Sequence, residues 1–94
     1  MNTERRRVVV RYEGMVQGVG FRFTAVRLAQ RYGVDGYVRN EPDGTVSLVA
    51  EGTARQIEDF LQDIRRSAVG RYITAEHRSW EQPTGAEKGF EIRY

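Results

Sequence analysis

A glycine-rich segment early in the chain has the composition of an anion-binding loop. Residues 14–22 read Gly-Met-Val-Gln-Gly-Val-Gly-Phe-Arg, between an alternating apolar segment and a helical pattern. Glycines allow the positive φ angles that turn several backbone N–H groups toward one point, and a helix N-terminus adds partial positive charge there. Arg22 would lie in the first helical turn, where its planar guanidinium could bind a tetrahedral oxyanion through two hydrogen bonds. The segment therefore predicts a binding site for one phosphate group.

Residue chemistry alone leaves a second interpretation of this segment open. It could be a tight turn that happens to be followed by an arginine, with no ligand at all. It does not continue into the Gly-Lys-Ser/Thr of a Walker loop, and no parallel crossover sheet fits the rest of the chain, as a dinucleotide-binding fold would require. A small-anion site and a plain turn are the two interpretations that remain.

Asn40 is the second residue that could take part in chemistry. Its side-chain amide offers one acceptor oxygen and two donor hydrogens, so it could orient a water molecule. It also comes two residues before Pro42, next to the turn segment Glu-Pro-Asp-Gly. Taken alone, this position favours a structural role as an Asx-type turn residue.

The elements that must position these residues are visible as apolar patterns. Val8, Val10 and Tyr12 lie on one face of an alternating segment, which predicts a half-buried strand. Further strands are predicted over residues 34–40, 45–51, 72–80 and 89–94, with a turn over 41–44. Gly52 is expected to break the strand that precedes it.

Two helices are predicted from stripes of apolar residues at helical spacing. The first covers residues 21–32, and Gly33 follows at the position where a glycine commonly ends a helix. Thr53 is expected to cap the second helix, with Gln56 three residues later completing a capping box. The two apolar stripes consist of Phe21, Ala25, Leu28, Ala29 and Tyr32, and of Ile57, Phe60, Leu61 and Ile64.

The order of these elements predicts an α+β fold. Strand, helix, strand, strand, helix and strand form two interleaved βαβ units, which is typical of a ferredoxin-like βαββαβ sandwich. We expect an antiparallel sheet with two helices on one face and a short extra C-terminal strand. Residues 1–94 would form a single domain, with a frayed N-terminus over residues 1–7. In this topology the strand that ends at Asn40 lies near the same sheet edge as the glycine-rich loop.

The composition excludes several classes of site. The chain of 94 residues has no cysteine and one histidine, His77, which excludes disulfides, thiolate metal sites, a cysteine nucleophile and a multi-histidine metal centre. We therefore expect no metal and no cofactor, and His77 is expected to be a strand residue without a catalytic role. The net charge of +2 gives no strong excess for binding a polyanion.

Targeting and membrane segments are not expected from the sequence. No apolar run approaches the ~20 residues that a membrane helix needs, and the apolar stretch over residues 8–10 is too short for a secretory signal. The expected location is therefore cytoplasmic. Arg5, Arg6 and Arg7 are expected to form a solvated basic arm.

The two chemical segments together resemble the acylphosphatase family. Residues 14–22 match the family's loop Gly-x-Val-Gln-Gly-Val-Gly-Phe-Arg throughout. Residues 36–46 match its second motif, Gly-Trp-Val-Arg-Asn-x-x-Asp-Gly-x-Val, except that Tyr37 replaces tryptophan. Glu41 stands where the family often has threonine, and residues 67–72 replace a turn that is often rich in glycine and proline. The extra carboxylate of Glu41 could weaken anion binding unless it points to solvent.

The resemblance implies a metal-independent hydrolase that splits the carboxyl–phosphate bond of acyl phosphates into a carboxylate and inorganic phosphate. It makes Arg22 and Asn40 the catalytic residues, with Asn40 positioning the in-line water. The implied phosphate-binding residues are Gln17, Gly18, Val19, Gly20, Phe21 and Arg22. The expected partner is a small-molecule acyl phosphate, bound by a monomer that uses no cofactor, nucleic acid or membrane.

A non-catalytic or regulatory ferredoxin-like module, binding RNA or a partner protein, is the alternative. RNA recognition domains share this element order, but they need exposed aromatic residues on the third strand. Residues 46–51 contain no aromatic residue. The sequence therefore favours the enzyme over the RNA-binding module.

Overall fold

The elements follow one another in the order that the apolar patterns predict. The computed structural model describes residues 4–94. Its elements are β1 (Arg5–Gly14), α1 (Phe21–Tyr32), β2 (Asp35–Asn40), β3 (Val46–Thr53), α2 (Ala54–Arg66), a 3₁₀ helix (Ala68–Tyr72), β4 (Ile73–Glu81) and β5 (Phe90–Arg93). Within the described residues, neither α-helix has the length and apolarity needed to cross a membrane.

The sheet has the strand order β4-β1-β3-β2-β5, which confirms the ferredoxin-like βαββαβ arrangement with an extra C-terminal strand. The expectation of a wholly antiparallel sheet was wrong in one respect, because β5 pairs with β2 in parallel. β4 ends opposite the start of β1, and β5 begins opposite the start of β2. The segment that connects β4 to β5 therefore crosses one end of the sheet. Because β5 starts at the same end as β2, the two strands run in the same direction.

The core lies between the helices and one face of the sheet. The alternation in β1 is confirmed, since Val8, Val10 and Tyr12 are fully buried. The predicted inward stripes of both helices are buried except for Tyr32, which packs against the core as a partly buried residue. Burial of these side chains stabilises the fold by ~25 cal/mol for each Å² of apolar surface that is removed from water. The core therefore holds the start of α1 and the end of β2 in fixed positions.

Both predicted helix boundaries are confirmed, and one predicted strand boundary is wrong. Gly33 ends α1 with φ 71°, a left-handed conformation. Thr53 and Gln56 form the predicted capping box of α2, with hydrogen bonds of 2.8 and 3.1 Å. Gly52 does not break β3, because it continues the ladder opposite Arg6 of β1.

The predicted frayed start was wrong for residues 5–7, which extend β1 opposite the end of β3; residues 1–3 lie outside the described part of the chain. Arg7 is not part of a solvated arm, since its side chain is only 13% exposed. Its guanidinium binds Glu51 at 2.6 Å, Glu87 at 3.0 Å and Glu81 at 3.3 Å. Long-range ion pairs therefore hold this strand end, a feature that local patterns do not reveal.

Glu51 is the centre of this ionic cluster and is 1% exposed. Besides the bond from Arg7, it accepts hydrogen bonds from the backbone N–H groups of Thr84 and Gly85 and from the Thr84 hydroxyl, at 3.0 to 3.1 Å. Burial alone would raise the pKa of Glu51. The hydrogen bonds from Thr84, Arg7 and Gly85 outweigh it and lower the pKa to about 2. The carboxylate thereby holds the segment between β4 and β5 against the sheet.

This cluster predicts a specific acid sensitivity. Glu51→Gln should lower the free energy of unfolding at pH 7 by about 2 kcal/mol, because the largely buried Arg7 loses the shortest of its three carboxylate contacts. Because the pKa of Glu51 is lowered in the folded protein, its carboxylate contributes its full stabilisation at any pH above the ordinary pKa of 4.5. This contribution is lost as the pH falls toward 2. The gap between the urea midpoints of parent and variant should therefore narrow between pH 4.5 and pH 2.

Asp59→Asn is the matched control, because Asp59 is a half-exposed carboxylate on α2 whose partner Arg55 lies 3.8 Å away in solvent. Its urea midpoint should follow the parent's at every pH. A difference in urea midpoint between the parent and Glu51→Gln that stays constant from pH 7 to pH 2 would contradict the lowered pKa of Glu51.

Candidate active site

The loop between β1 and α1 presents backbone N–H groups at a helix start. Gly18 and Gly20 have φ angles of 77° and 85°, which other residues rarely adopt. Gly20 is the N-cap of α1, and its carbonyl accepts the first helical bond, from the Thr24 N–H at 3.0 Å. The three preceding amides, of residues 21–23, have no partner within the helix. The first turn also carries no acidic side chain, so the positive end of the helix dipole is uncompensated there.

Gln17 fastens this loop to the turn between β2 and β3. Its side-chain Nε2 donates to the backbone carbonyls of Glu41, at 2.8 Å, and Thr45, at 2.9 Å. Val16 is fully buried and Val19 packs against the core, so the loop is also held from the protein interior. The loop and the turn therefore keep a fixed relative position.

Asn40 is the last residue of β2 and precedes this turn. The Oδ1 atom of its side chain is buried and has no hydrogen-bond partner among residues 4–94. Asp43 makes the side-chain bonds of the turn instead, accepting from the N–H and hydroxyl of Thr45 at 3.0 and 2.6 Å. The interpretation of Asn40 as an Asx-turn residue is therefore wrong. A buried, unpaired acceptor is costly in free energy, which is typical of a site that binds something.

Arg22 and Asn40 line one cavity, although 18 positions separate them in the sequence. The cavity has a volume of about 220 Å³ and is bounded by Val16, Gly18, Gly20, Phe21, Arg22, Phe23 and Asn40. Four of the six predicted phosphate-binding residues are therefore at the cavity. The other two, Gln17 and Val19, are not among its bounding residues, and their side chains hold the loop instead.

The guanidinium of Arg22 makes no ion pair with any carboxylate of the described chain. Its Cζ atom lies 5.4 Å from the ring centroid of Tyr94, a cation–π contact. Glu41, whose carboxylate could have competed for this charge, instead pairs with Arg39 at 3.4 Å and does not bound the cavity. The positive charge of Arg22 is therefore available to an anion.

Sequence reasoning missed two aromatic residues beside this cavity. Phe23 bounds the cavity and Tyr94 contacts Arg22, yet both side chains are largely exposed. A signal for Phe23 was present, because it lies two positions after Phe21 and so cannot share the inward stripe of α1. The contact of Tyr94 depends on the parallel pairing of β5, for which the sequence gives no local signal.

Residues 4–94 contain no group of three or more histidine, cysteine or acidic side chains that could hold a metal ion. The positive charge at the cavity comes from Arg22 and from the N-terminal end of α1.

Known sequences similar to this chain are of similar length. The sequence pattern of the acylphosphatase family matches residues 8–92. An acylphosphatase of Thermococcus kodakarensis is 40% identical over 89 residues, which cover 95% of this chain and 97% of the relative. An acylphosphatase of Bordetella parapertussis is 46% identical over 72 residues, covering 74% and 77% of the two chains.

Solved structures give the same result for the fold. The crystal structure of the acylphosphatase from Bacillus subtilis superposes with a TM-score of 0.87 at 26% identity, covering 95% of this chain and 99% of that one. A phosphate- and nucleotide-bound structure of full-length HypF superposes with a TM-score of 0.88, also at 26% identity, but the match covers 12% of that larger protein. Because the family pattern spans both sequence motifs and the strands that carry them, this chain belongs to the acylphosphatase family, whose members hydrolyse acyl phosphates.

Proposed function

We propose that this chain hydrolyses acyl phosphates in the cavity between the glycine-rich loop and the end of β2, with Arg22 and Asn40 as its catalytic residues. The observation that carries this proposal concerns two groups at one cavity. Within residues 4–94, Arg22 has no carboxylate partner and the buried Asn40 Oδ1 has no hydrogen-bond partner. The two groups have complementary uses, since Arg22 attracts the phosphoryl oxygens and Asn40 Oδ1 accepts a hydrogen bond from water.

The phosphoryl group is assigned to Arg22 and the loop. Phosphoryl transfer passes through a loose transition state in which charge is spread over three oxygens, so catalysis consists mainly of positioning and charge stabilisation. The guanidinium of Arg22 offers two parallel N–H donors, and the amides at the start of α1 offer more. The uncompensated helix dipole supports the same oxygens without any reorganisation during the reaction.

The attacking water is assigned to Asn40. Its Oδ1 atom accepts a hydrogen bond from the water, which directs a lone pair of the water oxygen at phosphorus, in line with the leaving carboxylate. A water held in this position is already oriented, so the reaction avoids the entropy cost of bringing a water to the phosphorus from solution. The buried Oδ1 has no hydrogen-bond partner among residues 4–94, which supports this role because its acceptor position is open to a water.

The proposed reaction needs neither a strong acid nor a strong base. The bond from the water oxygen to phosphorus forms while the bond from phosphorus to the acyl oxygen breaks, and the acyl group leaves as a carboxylate with both bonding electrons. A carboxylate is a good leaving group, so it requires no proton from the protein. The proton that the water loses goes to an oxygen of the phosphate itself. The residues that bound the cavity agree with this scheme, since they include no acidic side chain and no histidine.

All residues assigned to the reaction belong to one cavity of one chain. We therefore propose that the protein acts as a monomer on a small substrate. We also propose that it works in the cytoplasm and without a nucleic-acid partner. The small net charge and the lack of aromatic residues in β3 support the last point.

Arg22→Ala should raise KM, lower kcat and weaken inhibition by inorganic phosphate, because Arg22 is assigned to the phosphoryl group before and during the reaction. The expected loss in kcat/KM is on the order of 10²–10³-fold. Arg22→Lys should recover little of it, since a point charge cannot replace two parallel donors. Arg55→Ala, at an almost fully exposed arginine on α2, is the control and should behave like the parent. Unchanged phosphate inhibition in folded Arg22→Ala would refute the assignment.

Asn40→Ala should lower kcat by on the order of 10²-fold and leave KM and phosphate inhibition nearly unchanged, because Asn40 is assigned to water alone. Kinetics and the urea midpoint are measured on the same samples. The variant should stay folded, since Asn40 Oδ1 makes no hydrogen bond to any of residues 4–94 that the substitution would remove. A folded Asn40→Ala protein with the parent's kcat would show that Asn40 does not position water.

Gln17→Ala should lower kcat/KM by about tenfold and the free energy of unfolding by about 1–2 kcal/mol. Its amide is assigned to positioning, and its loss leaves the carbonyls of Glu41 and Thr45 each without one hydrogen bond. Gln17→Glu should be equally impaired, because its carboxylate would face two carbonyl oxygens. Gln62→Ala, at an exposed glutamine of α2, controls for loss of a glutamine. A Gln17→Ala protein with lower stability and the parent's kcat/KM would confine Gln17 to a structural role.

A further inference from the structure

Two exposed aromatic side chains lie at the proposed active site. Among residues 4–94, the large apolar residues that are exposed are Met15, Phe23, Trp80 and Tyr94. Phe23 is 75% exposed and bounds the cavity that Arg22 and Asn40 share. Tyr94 is 94% exposed and contacts Arg22. An exposed aromatic ring beside a cavity is typical of a surface that becomes buried when a ligand binds.

The position of Phe23 on α1 directs its side chain toward the cavity. It is the third residue of the helix, and two positions separate it from the inward-facing Phe21, which places the two rings on different faces. Helical side chains lean toward the N-terminus of their helix and cover the surface over the preceding turn. At the start of α1 that surface is the glycine-rich loop, so the ring forms a wall of the cavity and does not fill the core.

The substrate of the proposed reaction has two unlike ends. Its phosphoryl oxygens need donors, which Arg22 and the amides of the loop supply. Its acyl group carries no charge to be recognised, and contact with it would come from apolar surface. At about 220 Å³ the cavity has room for several water-sized groups of ~30 Å³, which is more than one phosphoryl group occupies. Two aromatic residues bound the cavity. Phe21 is buried in the core, whereas Phe23 is exposed and is the aromatic residue available to a group in this remaining space.

We propose that Phe23 determines acyl-group specificity by contacting the acyl moiety of the bound acyl phosphate, and that it favours aromatic or extended apolar acyl groups over acetyl. This proposal rests on the proposed function, since it takes the phosphoryl group to be held by Arg22. An aromatic acyl group can stack on or meet the edge of the ring and exclude water from both surfaces. An acetyl group offers one methyl and loses little when the ring is absent.

The test compares benzoyl phosphate with acetyl phosphate in the parent, Phe23→Ala and Phe23→Leu. The ratio of their kcat/KM values should fall about tenfold in Phe23→Ala, through a higher KM for benzoyl phosphate, and less in Phe23→Leu. The kcat/KM value for acetyl phosphate should change by less than about twofold. Comparing ratios between variants removes the difference in leaving-group reactivity between benzoate and acetate, because that difference is the same in every variant.

Two controls separate this proposal from other effects. Trp80→Ala removes a partly exposed aromatic residue on β4, which does not bound the cavity, and should leave the ratio unchanged. Inhibition by inorganic phosphate should be the same in the Phe23 variants and the parent, because phosphate has no acyl group. Tyr94 is unsuitable for this test, since its ring touches the guanidinium that is assigned to the phosphoryl group.

Equal losses for the two substrates in Phe23→Ala, or a ratio that does not change, would overturn the proposal. Failure of the proposed function has a different signature, namely normal turnover of both substrates in folded Arg22→Ala or Asn40→Ala protein. The two failures are therefore distinguishable with the same pair of substrates.

Discussion

Two hydrogen bonds from the side-chain amide of Gln17 connect the parts of the structure on which the active site depends. They join the loop after β1 to the turn after β2, at distances of 2.8 and 2.9 Å. The loop leads directly into the helix that carries Arg22, and the turn directly follows Asn40. Neither segment contains enough structure of its own to fix its distance from the other. Both hydrogens of one amide group are used, so the bonds fix the orientation of the loop as well as its position.

The two ends of the sheet use their polar groups in opposite ways. At the end where β1 starts, Arg7 and Glu51 are nearly buried and each is paired several times over. At the end where β1 finishes, Arg22 has no carboxylate partner in the described chain, the first amides of α1 have no helical partner, and Asn40 Oδ1 is unpaired. Unpaired buried groups cost stability, and a protein commonly retains them where they act on a ligand. Paired charges at one end and hydrophobic burial between sheet and helices offset that cost.

How far the sequence predicts this structure depends on whether the determining contacts are local. The bounds of α1 follow from the spacing of its apolar stripe and from Gly33, and the capping box of α2 follows from Thr53 and Gln56, so both were predicted correctly. The burial of Arg7 could not be predicted, because its partners are 44 to 80 positions away. The parallel pairing of β5 also depends on distant residues.

The same distinction applies to the site. The glycine-rich loop is a local pattern, and its chemistry could be recognised before the fold was known. The pattern around Asn40, taken alone, gave a wrong prediction, because a residue close to Pro42 is expected to make the hydrogen bonds of the turn. In the structure Asp43 makes those hydrogen bonds instead. Phe23 was overlooked because an aromatic residue in a helix normally indicates core, and only its 75% exposure sets it apart.

A crystal structure with bound inorganic phosphate would show whether one cavity holds a phosphoryl group on Arg22 and a water on Asn40. We expect phosphate oxygens within hydrogen-bond distance of the Arg22 guanidinium and of the amides of residues 18–23. We also expect an ordered water between the phosphate and Asn40 Oδ1, with no direct bond from Asn40 to the anion. A phosphate bound at another surface, or one held by the Asn40 amide itself, would contradict these roles of Arg22 and Asn40.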